Sequence, residues 1–190
     1  MKQSFSGFIL PKPDKKANVV HGVQDYPTPG TYQFRIPGGV TRLYALLGAG
    51  GGSGGTMYID NRYPGGGGGG GGNCAGTIDV LPGQILTVFV GGSGSVSAIQ
   101  MPDGSQPLTA TPGSQGYDGS YGAGGAAGSG TGGEVGPGAA GSSATGSGNI
   151  STGVGGLGGR GAKPYGGDGG QGYYASGGSV GGIGHVKIWW

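Results

Sequence analysis

The chain has 190 residues, about one domain's worth. Glycine supplies 56 of them, charged residues only 9%, and the net charge is +2. Composition of this kind points by itself to low complexity, with too little Leu, Ile, Val and Phe for an ordinary core, and charge this sparse excludes the dense basic stripe of a nucleic-acid site. What argues for a folded chain is that the apolar residues are gathered in short alternating runs.

Residues 1–28 differ from the rest. They hold Pro11, Pro13 and Pro27 and few glycines, and proline at this density favours extended chain over helix. Lys2, Lys12, Lys15, Lys16, Arg35 and Arg42 against Asp14 and Asp25 give residues 1–42 a net charge of +4, leaving −2 for the remainder. The stretch reads as an extended docking peptide in which Phe5, Phe8, Ile9, Leu10, Lys12, Lys15 and Lys16 face a partner; the alternative is a strand that wraps the body. Its apolar part is too short for a signal peptide, and no run approaches the roughly 18 apolar residues of a membrane span. The expectation is a protein made in a reducing cytoplasm, released by lysis and not embedded in a membrane.

Residues 29–190 form the body. Thr31-Tyr32-Gln33-Phe34-Arg35-Ile36 alternates, with Tyr32, Phe34 and Ile36 on one face. Pro37-Gly38-Gly39 then turns the chain into a run ending at Leu47. A second pair, 76–81 and 84–90, flanks Pro82-Gly83, which predicts a hairpin. His185-Val186-Lys187-Ile188-Trp189-Trp190 alternates again. Strands are thus expected at about 31–47, 76–90 and 184–190, in a small antiparallel sheet or sandwich of an all-β protein without α-helix.

Between the strands lies glycine, in polyglycine segments at 48–72 and 116–182. Residues 65–72 are eight consecutive glycines. Elsewhere glycine recurs every third residue, as at Gly116, Gly119, Gly122, Gly125 and Gly128, or Gly178, Gly181 and Gly184. The phase slips between segments and proline is scarce, which excludes a collagen triple helix. A period of three fits the extended left-handed helix of three residues per turn, which has no internal hydrogen bonds. Its backbone groups must then be paired by neighbouring helices. A helix at the edge of such a bundle needs glycine at one position in three; one surrounded on all sides needs it everywhere. Residues 65–72 read as an interior helix and 116–128 as a peripheral one.

The run Thr28-Pro29-Gly30-Thr31-Tyr32-Gln33-Phe34-Arg35-Ile36-Pro37-Gly38-Gly39-Val40-Thr41 resembles the opening of the glycine-rich domain of phage tail fibres. So does Leu46-Leu47-Gly48-Ala49-Gly50-Gly51-Gly52, then the glycines 65–72, then Val80-Leu81-Pro82-Gly83-Gln84 leading into Val88-Phe89-Val90-Gly91. The ending Gly184-His185-Val186-Lys187-Ile188-Trp189 is similar to that family's closing strand. The architecture is also similar to the polyglycine distal adhesins of T-even-like phage fibres, which present loops to a bacterial receptor. A glycine-rich fold occurs in animal receptor kinases too, but the absence of paired cysteines argues against an extracellular animal domain. The phage resemblance implies a virion protein on a tail appendage, attached to other virion proteins through residues 1–28 and contacting a surface glycan or outer-membrane protein.

The chemistry-bearing residues point away from an enzyme. Cys74 is the only cysteine, Glu134 the only glutamate, and His21 and His185 the only histidines, so no acid–base couple, thiol metal cluster or cofactor is expected. Gly50-x-Gly52-x-x-Gly55 satisfies the dinucleotide fingerprint without the helix or acidic residue that give it meaning. Binding is the better reading. Rigid aromatic side chains among small residues make good recognition surface, and Tyr58, Tyr63, Tyr117, Tyr121, Tyr165, Tyr173 and Tyr174 lie in or beside glycine segments. The first candidate is the loop holding Tyr58, Ile59, Asn61, Arg62 and Tyr63, and the second is Tyr173-Tyr174. A structural virion decoration without receptor binding is the alternative.

Overall fold

The computed structural model describes residues 21–56, 65–118, 123–144, 161, 166–170 and 178–190. Ten strands fall within them: β1 Val23–Tyr26, β2 Gly30–Arg35, β3 Arg42–Gly48, β4 Asn73–Asp79, β5 Ile85–Val90, β6 Ser97–Gln100, β7 Leu108–Ala110, β8 Gly130–Thr131, β9 Glu134–Gly136 and β10 His185–Trp189. They form two antiparallel five-stranded sheets, ordered β1-β10-β3-β4-β9 and β2-β5-β6-β7-β8. No helix occurs among the described residues, so the protein is all-β.

The two sheets face each other, with β10 against β5 and β3 and β4 against β7. Alternation decides which side chains enter the gap. Leu43, Ala45 and Leu47 of β3, Ile78 of β4, Val186 and Ile188 of β10 meet Leu86, Val88, Ile99 and Leu108 of the other sheet. These side chains are essentially removed from water; a fully buried aliphatic side chain contributes about 1.5–3 kcal/mol. The scarcity of apolar residues has its explanation here: the core belongs to the sandwich alone.

The turns of this sandwich correct one expectation. Pro82-Gly83 is a turn, and Gly83 has φ of 80°, a conformation that other residues adopt only with strain. Yet β4 and β5 do not pair. One joins β3 and β9, the other β2 and β6. The turn carries the chain from one sheet to the other, as does 37–39, where Gly39 has φ of 84°. A tight turn fixes a change of direction; which strand becomes the partner is decided by the core that both faces must bury. Residues 23–26, within the stretch read as a docking peptide, pair with Val186–Trp189 of β10.

At one end of the sandwich the strands run on into glycine. β3 continues as 49–56, β7 as 111–118 and β9 as 137–144, while 65–72, 123–129 and 178–184 lead into β4, β8 and β10. These segments bond backbone to backbone. Within 65–72, Gly66, Gly69 and Gly72 donate their N–H groups to the carbonyls of Tyr117, Ser114 and Thr111. Gly67 and Gly70 donate to Ser142 and Ala139, and Gly68 and Gly71 to Gly170 and Gly167. The carbonyls of Gly72, Gly69 and Gly66 accept from Ala49, Gly52 and Gly55, and those of Gly67 and Gly70 from Gly125 and Gly128. All these bonds lie between 2.7 and 3.1 Å.

Every third residue thus addresses the same neighbour, the spacing that a chain of three residues per turn requires. Residues 65–72 are buried throughout and bonded to segments on several sides, as the unbroken glycine run demands. In 123–129, by contrast, Gly125 and Gly128 are buried while Ala123, Ala126, Ala127 and Ser129 are exposed. That is the peripheral pattern: glycine is kept where the segment faces the lattice. At Gly69 an added Cβ would sit on the carbonyl oxygen of Ala126, and at Gly68 on that of Gly52. The close approach, more than any backbone flexibility, requires glycine here.

Candidate functional site

The lattice gives the molecule two poles. Gly66, bonded to Gly55 and Tyr117, lies at the end away from the sandwich; Gly72, bonded to Ala49 and Thr111, lies beside it. The chain therefore reaches the far end at Thr56, and likewise at Asp118, with Gly65 and Ala123 resuming the lattice there. Ser142, partner of Gly67, lies near the same end, Gly170, partner of Gly68 and Gly52, lies midway, and Ser179 returns bonded to Gly54.

One side-chain clamp holds the tip together. The Asp118 carboxylate accepts the N–H of Thr56 at 2.6 Å, tying two neighbouring segments where they end. Beside it Tyr117 is 68% exposed although its backbone is bonded into the lattice on both sides, to Ala123 and Gly66. A rigid backbone carrying an exposed phenol is a pre-organised contact group. Of the receptor candidates read from sequence, Tyr117 alone lies among the described residues. Tyr58, Ile59, Asn61, Arg62, Tyr63, Tyr121, Tyr165, Tyr173 and Tyr174 lie outside them, as do Phe5, Phe8, Ile9, Leu10, Lys12, Lys15 and Lys16. What is fixed is where the described chain flanks them. Thr56 and Gly65, and Asp118 and Ala123, stand at the tip; Gly178 lies against Gly54 and Gly55 near it, while Gly170, bonded to Gly68 and Gly52, lies midway along the lattice. Gly161 and Gly166, which bracket Tyr165, stand nearer the sandwich, where Gly167 bonds to Ala49.

The opposite pole belongs to the outer ends of β1 and β10. Gly22 and Trp190 exchange N–H to carbonyl bonds of 2.9 and 3.1 Å, and the Trp190 ring lies over Gly22 and against Phe34, 5.2 Å between ring centres. The chain preceding His21 therefore departs from the end of the sandwich away from the lattice.

The remaining chemical groups are engaged in structure. Cys74 is buried in β4 and donates its Sγ–H to the carbonyl of Thr131 at 2.9 Å; burial pushes its thiol pKa up, against hydrogen bonds from Thr109, Thr131 and Gly133 that lower it. His185 pairs with Asp25 across β1 and β10. The glycines of the dinucleotide-like spacing have spent their donors: Gly50, Gly52 and Gly55 donate to Ser95, Gly69 and Gly66, leaving no N–H cradle for a phosphate. Among the described residues no three His, Cys, Asp or Glu side chains gather to hold a metal, and no helix is long and apolar enough to cross a membrane.

Sequence reasoning passed over one surface, the outward face of β3, β4 and β10. Tyr44 and Trp189 stand there with ring centres 5.6 Å apart, and the Lys187 ammonium lies 5.5 Å from the Trp189 ring centre. The signal was present in the alternation of β3 and β10, whose inward sets fill the core and leave these residues outside.

A family model described as a glycine-rich domain matches residues 27–188. No curated protein matches the chain.

Proposed function

We propose that this chain, which belongs to the glycine-rich domain family, is a bacteriophage tail-fibre or tail-tip adhesin. In this reading the lattice is a rigid spacer, and the chain at its tip contacts a glycan or outer-membrane protein of the host bacterium. The observation that carries it is the separation of the poles. The described ends that flank residues 58–63, together with exposed Tyr117, lie at the lattice tip, while the chain before His21 departs from the opposite end. An adhesin needs this division: one end fixed to the particle, the other presenting variable chain on a scaffold that tolerates its change. Rigidity also serves binding, because contact groups that are already ordered lose less entropy when they engage.

The test is attachment of the purified full chain to host cells. Replacing 57–64 with Gly-Ser, or Tyr117 with Ala, is expected to reduce bound protein at least tenfold for the first and a few-fold for the second, with melting unchanged. Full attachment by a folded double variant contradicts the reading and leaves the chain a decoration of the virion.

A further inference from the structure

The outward face of the sheet β1-β10-β3-β4-β9 carries a groove that the tip reading does not use. Register sets Trp189, Tyr44 and Thr77 side by side on β10, β3 and β4. Two residues along, it sets Lys187, Leu46, Ala75 and Glu134 in the next row, across four strands. Tyr44 remains 43% exposed. Three shallow troughs share it as a wall. One of about 400 Å³ runs over His21, Arg42, Thr77, Trp189 and Trp190. Another of about 320 Å³ lies over Ala75, Gly76, Thr77, Gly132 and Glu134. A third of about 320 Å³ continues past Leu46, Asn73 and Ala75 to Glu134 and Gly136. Ala75, on the same face as Tyr44, is small, so the floor beside Tyr44 stays low where two of the troughs share it.

We infer that this groove binds a neutral oligosaccharide. A pyranose ring is apolar on its C–H faces and polar at its rim, so it needs an aromatic wall with hydrogen-bonding groups beside it. Tyr44 and Trp189 supply the wall, with their rings tilted 51° to each other. Lys187 over Trp189 fixes that ring, an interaction of about 0.5–1 kcal/mol at an exposed site. The Glu134 carboxylate can accept two hydroxyl protons from adjacent carbons, and the Thr77 hydroxyl can donate or accept.

Charge selects against the other chains that could lie there. Arg42 is paired with Asp79 at 2.7 Å and Lys187 is held on the indole, so an acidic polymer gains little from either. It also meets Glu134, which has no ion-pair partner among the described residues. A peptide that adds a strand would have to pair along an edge, whereas Tyr44 and Trp189 stand on the inner strands β3 and β10. A neutral, hydroxyl-rimmed chain of a few rings matches the length, the walls and the single carboxylate.

Binding in this groove is independent of the tip. The full chain is titrated with a panel of neutral tri- to hexasaccharides of glucose, galactose and N-acetylglucosamine, followed by tryptophan fluorescence and calorimetry. At least one is expected to bind in the millimolar range or tighter. Tyr44→Ala should weaken it at least tenfold and Glu134→Gln at least threefold, while the 57–64 replacement binds like the parent chain. If Tyr44→Ala fails to fold, Glu134→Gln, a change at the exposed sheet edge, decides between the outcomes. Absence of binding across the panel overturns the inference. So does undiminished binding by folded Tyr44→Ala and Glu134→Gln, and binding lost only with the 57–64 replacement assigns the saccharide to the tip.

Discussion

At the scale of single residues, the lattice makes glycine a steric requirement. Gly69→Ala drives a methyl into the carbonyl of Ala126 with backbone on every side, and this overpacking is expected to cost about 3 kcal/mol or more. Gly92 offers the control, since a Cβ there meets only Pro29, at 3.9 Å. Gly92→Ala should change stability by less than about 1 kcal/mol. Thermal melting of both variants reads the difference, and equal effects would mean that position in the lattice is irrelevant. Cys74 gives a second residue-level expectation. Buried, hydrogen-bonded and with its thiol pKa raised, it should react with a thiol reagent only as fast as the sandwich opens. At Asp103 the Ser105 hydroxyl and then its N–H hold the exposed carboxylate below its usual range. A lowered folded pKa stabilises above the unfolded value and is lost as pH falls through the folded one, so the Ser105 amide should lose protection relative to its intrinsic exchange rate only at the acid end.

At the scale of elements, the sequence was legible where a strand carries its own apolar alternation. β2, β3, β5 and β10 each place two or more large side chains inward, and all four were visible. β6, β7, β8 and β9 were not. Ser97-Ala98-Ile99-Gln100, Leu108-Thr109-Ala110 and Gly130-Thr131 hold too few large residues to declare a period, and they are strands because neighbours across the sheet complete them. Pro82-Gly83 was legible as a turn but not as a passage between sheets. The glycine run 65–72 was legible as buried chain bonded on several sides, because unbroken glycine has a meaning only where every side is occupied. Its amides should therefore exchange as slowly as those of β3 and β5. Exchange at the rate of an ordinary glycine loop would contradict the bonded lattice.

For the whole molecule, the organising feature is polarity: a sandwich whose strands continue into a backbone-bonded lattice, with chain emerging at opposite ends. The candidate site was legible only in kind. Tyrosines among glycines pointed to exposed chain, and Tyr117 is exposed. The spacing of residues along the chain carries no record of which segments share a level of the lattice: the flanks of Tyr165 fall toward the sandwich, and those of Tyr173-Tyr174 lie midway at Gly170 and near the tip at Gly178. The polarity also predicts how the protein tolerates truncation. Removing 1–20 leaves β1 and its pairing with β10 intact, so the body should fold and melt like the full chain while no longer joining the particle; continued incorporation would contradict the docking role of Phe5, Phe8, Ile9, Leu10 and the lysines.

The most direct measurement is the place of this protein on purified virions, read by antibody-gold labelling with an antibody raised against the body, residues 29–190. The account predicts gold at the distal end of a tail appendage. Gold on the capsid or along the tail wall, or virions that carry none, would contradict the adhesin.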